Sequence, residues 1–124
     1  MKYLCLVYYD EKDLEAMPAD EFAAFSEEHV VLDEDLRRSG HSIVAEALQP
    51  VHTATTLRIR NGKLSTTDGP FAETKEQLGG IYLIEARDLN DAIQAAARIP
   101  SARVGSIEVR PVWDLRRDEP RSRR

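Results

Sequence analysis

His29 lies on the apolar face of a predicted helix, the face that would pack against the core of a small domain. His29 shares an apolar stripe with residues that recur at intervals of three and four: Phe22, Phe25, Leu32 and Leu36. This spacing is that of one face of an amphipathic helix, so the ring is expected to face a sheet. An imidazole in such a place is either a satisfied core residue or an acid–base group. The helical pattern leaves both interpretations open.

The segment 67–80, TDGPFAETKEQLGG, concentrates polar and conformationally special residues between two strand-like segments. Ordered loops on a β scaffold are where small domains commonly place binding groups, so this loop is the expected site. Its candidate substrate contacts are Phe71, Glu73, Thr74 and Lys75. The Asp-Gly-Pro start is also ordinary turn chemistry, and the charges after it could simply be solvated. The structural interpretation therefore stays open beside the functional one.

Length and charge restrict the class of protein. The chain has 124 residues, 42% of them hydrophobic, which is enough for one packed core. The net charge is −5, but residues 116–124 hold five arginines against two carboxylates, so the body is more acidic still. An acidic body argues against direct nucleic-acid binding, which needs clustered cations. We expect one domain over residues 1–115 and a flexible basic tail over 116–124.

Several kinds of site find no support in the sequence. The single cysteine, Cys5, lies in an apolar segment and is expected to be a core residue. The three histidines are scattered without the spacing of a metal-ligand set, and no dinucleotide or phosphate-binding loop is present. We therefore expect no metal and no cofactor. No segment has the apolar length of a membrane span or the order of a signal peptide, so a cytoplasmic protein without membrane contact is expected.

Two helices and six strands are expected to position these residues. Period-two and apolar runs predict strands at 2–9, 42–49, 55–60, 63–67, 80–86 and 106–113. Helices are predicted from Pro18 to a stop at Gly40, and from a cap at Asp88 to Pro100. Asn61-Gly62 predicts a tight hairpin turn. The order is that of two split βαβ units, an α+β ferredoxin-like fold with an antiparallel sheet and an inserted β-hairpin.

The strands 2–9 and 80–86 are apolar on both faces, whereas both helices are expected on one face of the sheet. A small domain cannot leave the other face in water without exposing a large apolar patch. We therefore expect a homodimer in which two copies pack sheet to sheet.

The run DGPFAETKEQLGG at 68–80, followed by YLI, resembles the DGPF-domain proteins of the YCII-related family. The segments ATTLR at 54–58, NGK at 61–63 and GSIEVRPV at 105–112 are also similar, and the likeness covers 1–113. The resemblance implies a dimeric α+β barrel. No activity is established for that family, although some members are encoded beside regulatory sigma factors. A His–Asp pair has been suggested as the active site of YCII-like relatives; His29 matches its histidine, and Asp68 is the candidate aspartate.

Three functions follow as expectations. In the first, the chain is a cofactor-independent enzyme in which Asp68 orients His29, and the pair acts as a general base on a small molecule between the first helix and the sheet. In the second, the chain is a non-enzymatic metabolite-binding or regulatory module acting with a sigma-factor-type transcription system. A third and weaker interpretation places haem or a metal at His29.

Overall fold

The computed structural model of the chain describes residues 1–116. The helices and strands are, in order, β1 (Lys2–Tyr9), α1 (Glu11–Glu15), α2 (Ala19–Arg38), β2 (Ser42–Ala47), β3 (Thr55–Arg60), β4 (Lys63–Asp68), β5 (Gln77–Glu85), α3 (Leu89–Ala96) and β6 (Gly105–Pro111). Short 3₁₀ turns lie at Val51–Thr53 and Pro100–Arg103. The basic tail is predicted over residues 116–124. All of it except residue 116 lies outside the described residues.

The main sheet has four antiparallel strands in the order β2-β5-β1-β6. The strands β3 and β4 form a separate two-stranded sheet that turns at Asn61 and Gly62, both with positive φ. Along the chain, β1-α2-β2 and β5-α3-β6 are each a strand, a helix and a return strand, and the strands of the two units interleave in the sheet. The predicted ferredoxin-like α+β fold with an inserted hairpin is therefore confirmed.

The core lies between the helices and one face of the sheet. Tyr3, Cys5 and Val7 of β1 are buried there, and Leu32 and Leu36 of α2 pack in the same cluster. Cys5 is fully buried as expected, and its burial raises the pKa of the thiol to about 11. This cluster fixes where α2 sits, and therefore where His29 points.

Several boundaries differ from the sequence prediction; among them, α3 ends at Ala96 although the prediction extended it to Pro100. The segment after Asp10, predicted to be a polar connection, contains α1, because the Asp10 carboxylate accepts from the backbone N–H of Lys12 and caps it. β5 begins at Gln77, three residues early, since its first residues pair with the end of β1. β2 ends two residues early at Ala47, and β6 spans Gly105–Pro111.

The buried face of α3 also differs from the prediction. The sequence spacing predicts a core stripe of Leu89, Ala92, Ile93, Ala96 and Ile99. Ala92, Ala96 and Ile99 are buried as predicted, whereas Leu89 and Ile93 are exposed and Ala95 is buried instead. Small side chains on that face let the helix approach the sheet closely, so the larger residues turn to solvent.

A group of four residues, here called the helix clamp, joins the end of α2 to the start of α3: Ser39, His41, Arg87 and Asp91. The His41 ring contacts the Ser39 hydroxyl through Nδ1 (2.7 Å) and the Asp91 carboxylate through Nε2 (3.2 Å). The backbone N–H of Arg87 donates to Asp91 at 3.0 Å. That bond first, and the His41 bond second, lower the pKa of Asp91 to about 2.

The helix clamp makes stability sensitive to acid. A carboxyl group whose pKa is lower in the folded chain stabilises the fold above its unfolded pKa, and the contribution is lost as pH falls toward the folded value. We expect Asp91→Asn to lower the urea midpoint at pH 7 and to flatten the loss of stability between about pH 4 and pH 2. Urea unfolding across this range, followed by circular dichroism, measures both effects.

Glu27→Gln is the matched control, because it removes the same charge from an exposed residue of α2. If the urea midpoint of Asp91→Asn fell with pH in the same way as those of the wild type and Glu27→Gln, the stabilising role assigned to Asp91 would be contradicted.

Candidate functional site

A cavity of about 540 Å³ opens between α2 and the sheet, and is here called the α2 cavity. Its lining comes from α2 between Phe22 and Glu34 and from β1, β2 with the following Leu48, and β5, with Leu14 of α1 also contributing. Most of the lining is apolar, and the groups able to do chemistry are few. They include the side chains of Tyr9, His29, Asp33 and Tyr82. A concave, mainly apolar space with a few polar groups is the usual form of a small-molecule site.

The ring of His29 is held by a hydrogen bond at each nitrogen. Nδ1 lies 2.8 Å from the carbonyl oxygen of Phe25, one turn earlier on α2. Because a carbonyl oxygen only accepts, Nδ1 carries the proton. Nε2 lies 2.8 Å from the hydroxyl of Ser101, which is 1% exposed. In the neutral ring, Nε2 is therefore an acceptor that receives the Ser101 proton.

The orientation of His29 is reinforced by an aromatic contact. The edge of the Phe25 ring meets the His29 ring at a centroid distance of 4.7 Å and an angle of 76°. A backbone carbonyl that fixes the tautomer and leaves Nε2 as the basic atom is the arrangement that a histidine general base requires.

Two tyrosine hydroxyls in the cavity have no hydrogen-bond partner among residues 1–116. Tyr82 is 6% exposed, and burial raises its pKa to about 12, with the nearby Asp33 carboxylate adding to the shift. The pKa of Tyr9 is raised as well, first by burial and then by Glu11. Both phenols therefore stay protonated at neutral pH and are free to donate to a ligand.

Gly79 determines where the ring of Tyr9 lies. A Cβ atom built on Gly79 would come within 2.2 Å of the Tyr9 ring, so the ring occupies the space that any larger residue would take. The Gly79-Gly80 pair thus shapes the cavity by allowing close approach.

Asp33 is a cavity residue that the sequence analysis missed. It follows His29 by one helical turn, accepts from the Ser42 hydroxyl at 2.5 Å and accepts from the Arg37 guanidinium at 2.9 Å. The spacing of four residues on a helix could have identified it. With its neighbour Glu34, it makes this side of the cavity negatively charged.

Asp68 is the last residue of β4 and is exposed. Its backbone lies opposite Thr55 in the hairpin, it does not line the α2 cavity, and no hydrogen bond joins it to His29 within residues 1–116. The turn after it is held by the backbone of Gly69, whose N–H donates to Ala54 (2.7 Å) and whose carbonyl accepts from Thr56 (2.8 Å). A His29–Asp68 pair stays a prediction, and a single chain does not bring the two together.

The four predicted substrate contacts, which are Phe71, Glu73, Thr74 and Lys75, are exposed and also lie outside the cavity lining. The loop is ordered by internal bonds. The Thr74 hydroxyl donates to the carbonyl of Glu76 at 2.5 Å, and the Gln77 amide donates to the carbonyl of Thr74 at 2.6 Å. The same Gln77 side chain accepts from the backbone N–H of Glu11 at 2.9 Å. The loop therefore fastens the start of α1, which borders the cavity.

A second cavity, of about 460 Å³, lies over the helix clamp. Its polar groups contact one another: the amino terminus of Met1 pairs with Glu85, Arg87 pairs with Asp91, and the His41 ring contacts the same Asp91 carboxylate. Because these pairs join elements of the fold, we assign them a structural role. Within residues 1–116, no three His, Cys, Asp or Glu side chains come together as a metal site. In the same part of the chain, no helix combines the length and hydropathy that crossing a bilayer demands.

Comparison with known proteins identifies the family. A family model described as the YCII-related domain matches residues 1–116. An uncharacterised protein of Rhizobium meliloti (strain 1021) is 36% identical over 114 residues, which are 90% of this chain and 92% of the relative. The family model spans β1 to β6 and includes the residues of the α2 cavity and the hairpin. The chain therefore belongs to the YCII-related family.

Proposed function

We propose that this chain binds a small, neutral and largely apolar carbonyl compound in the α2 cavity and transfers a proton on it through His29. The observation that carries the proposal is the fixed tautomer of His29 in the lining of that cavity. The basic atom of His29 is Nε2, whose present partner is the buried Ser101 hydroxyl, and the hydroxyls of Tyr9 and Tyr82 are free donors in the cavity. Asp33 and Glu34 disfavour an anionic ligand, which is why a neutral one is proposed.

The chemistry follows from these groups. A ligand carbonyl that accepts from Tyr82 gains acidity at the neighbouring carbon, and Nε2 takes the proton from that carbon. The resulting enolate is stabilised by the tyrosine hydroxyls, and return of the proton to the same or another atom completes an exchange or an isomerisation. No oxidant or cofactor is needed. For this step Nε2 must break its hydrogen bond to the Ser101 hydroxyl and contact the ligand instead.

A second candidate is a binding module without chemistry, including the regulatory role beside a sigma-factor-type system. The observation that favours it is that both nitrogens of His29 already have protein partners, whereas the two tyrosine hydroxyls do not. In this function His29 and Ser101 only join α2 to the turn at Pro100–Arg103, and the ligand is held by the tyrosines.

A homodimer is part of the proposal. The face of the sheet away from the helices, here called the open face, carries Leu4, Leu6, Tyr8, Ile81 and Leu83, which stay partly exposed in one chain. Packing two open faces together removes this apolar surface from water.

Loss of the His29 base should stop the proton transfer. With acetophenone as the probe, we expect His29→Gln to slow deuterium exchange at its methyl carbon by about 100-fold or more relative to the wild type. Exchange is measured by NMR in deuterated buffer. Ser101→Ala is the control, since it frees Nε2 and should retain exchange. A wild-type protein that binds acetophenone without accelerating exchange would favour the binding module instead.

Loss of the Tyr82 hydroxyl should weaken binding in either function. We expect Tyr82→Phe to reduce the affinity for acetophenone by roughly two- to tenfold, as removal of one hydrogen bond does. An NMR titration measures the affinity. Tyr3→Phe is the matched control, because the Tyr3 hydroxyl contacts the Met1 sulfur and lies outside the cavity lining. Equal affinities for both variants would count against ligand binding at Tyr82.

A further inference from the structure

The hairpin of β3 and β4 leaves an apolar face uncovered. The register pairs Leu57 with Thr66 and Ile59 with Leu64, so these side chains share one face, and Thr55 and Asp68 lie on it too. Leu57, Ile59 and Leu64 are 62%, 62% and 64% exposed. An isolated two-stranded hairpin is only marginally stable in water, and three uncovered aliphatic side chains add to that difficulty.

The charge of the hairpin is opposite to that of the helices. Residues 55–68 hold three cationic side chains against one carboxylate, whereas residues 11–38, covering α1 and α2, hold ten carboxylates against three cations. Arg58, Arg60 and Lys63 form no ion pair among the described residues. These cations lie on the face opposite the aliphatic residues, and their long side chains can reach around the edge of a two-stranded ribbon.

A matching surface exists on the chain itself. Phe22, Val30 and Leu48 line the α2 cavity and are 43%, 51% and 47% exposed; they are here called the cavity rim. Carboxylates of α2 surround the rim, among them Glu27 and Glu34. The rim therefore offers the hairpin both an apolar contact and the complementary charge. The hairpin does not use the rim of its own chain, so the rim of a second copy is left to receive it.

We propose that the hairpin of each chain packs its aliphatic face on the cavity rim of a second copy, and so closes the partner's cavity. This inference rests on the proposed dimer, whose open faces supply most of the buried area that a stable interface needs. Asp68 lies on the aliphatic face, so docking carries its carboxylate to the partner.

The test separates the two faces of the hairpin without changing its charge. Leu57→Gln with Leu64→Gln removes the docking face, and Ser65→Gln with Thr67→Gln alters the opposite face as the matched control. Sedimentation equilibrium over a dilution series gives the dimer dissociation constant. We expect the first pair to raise it by about tenfold or more, and the control pair to leave it within about twofold of the wild type.

Hydrogen exchange locates the contact. In the wild type, amides of residues 22–34 and 55–68 should exchange more slowly at concentrations above the dissociation constant than below it. In the Leu57→Gln, Leu64→Gln variant, held at a concentration that keeps it dimeric, the protection of residues 22–34 should be lost.

Three results would overturn the inference, and they differ in what else they affect. A wild type that stays monomeric at high concentration removes both the proposed dimer and the docking. A dimer whose dissociation constant is unaffected by the leucine substitutions removes the docking alone and leaves sheet-to-sheet packing. Protection from hydrogen exchange that is confined to the strands of the open face would also remove the docking alone and leave sheet-to-sheet packing. None of these results bears on ligand binding in the α2 cavity.

Discussion

The seat of α2 on the sheet is the constraint on which the site depends. The second half of the helix is pressed against the core through Leu32 and Leu36, which are 5% and 1% exposed. The hydrogen bond from Ser42 to Asp33 holds the second half of the helix to the start of β2. Toward its start the helix lies less deep, and Phe25 and then Phe22 become progressively more exposed. The α2 cavity lies along the helix from Phe22 to Glu34, and His29 lies between the exposed start of the helix and its buried end.

Local periodicity carried most of the fold prediction. The alternation of β1, the spacing of three and four on α2 and the Asn61-Gly62 turn each depend on neighbours in sequence, so they could be recognised without the structure. Boundaries failed where a tertiary partner decides them. Pairing with β1 extends β5 back to Gln77, and Asp10 turns part of a connection into α1.

The site was only partly accessible to sequence reasoning for the same reason. The place of His29 on the inner side of α2 follows from its spacing, but its partner Ser101 lies 72 residues away in a short turn and carries no pattern of its own. Tyr82 lies in an apolar strand, and a sequence cannot distinguish a free tyrosine hydroxyl at a cavity from one that is bonded within the core. The conspicuous loop at 67–80 positions α1 through Gln77, whereas its most exposed residues do not line the cavity.

The deep position of Cys5 has a practical consequence. Its thiol is wholly enclosed by the core and has a pKa of about 11, so it is both inaccessible and protonated at neutral pH. Alkylating reagents therefore modify it only when the sheet and α2 separate. The rate at which Cys5 is alkylated therefore measures how often the core opens, so this thiol is a built-in probe of conformational stability.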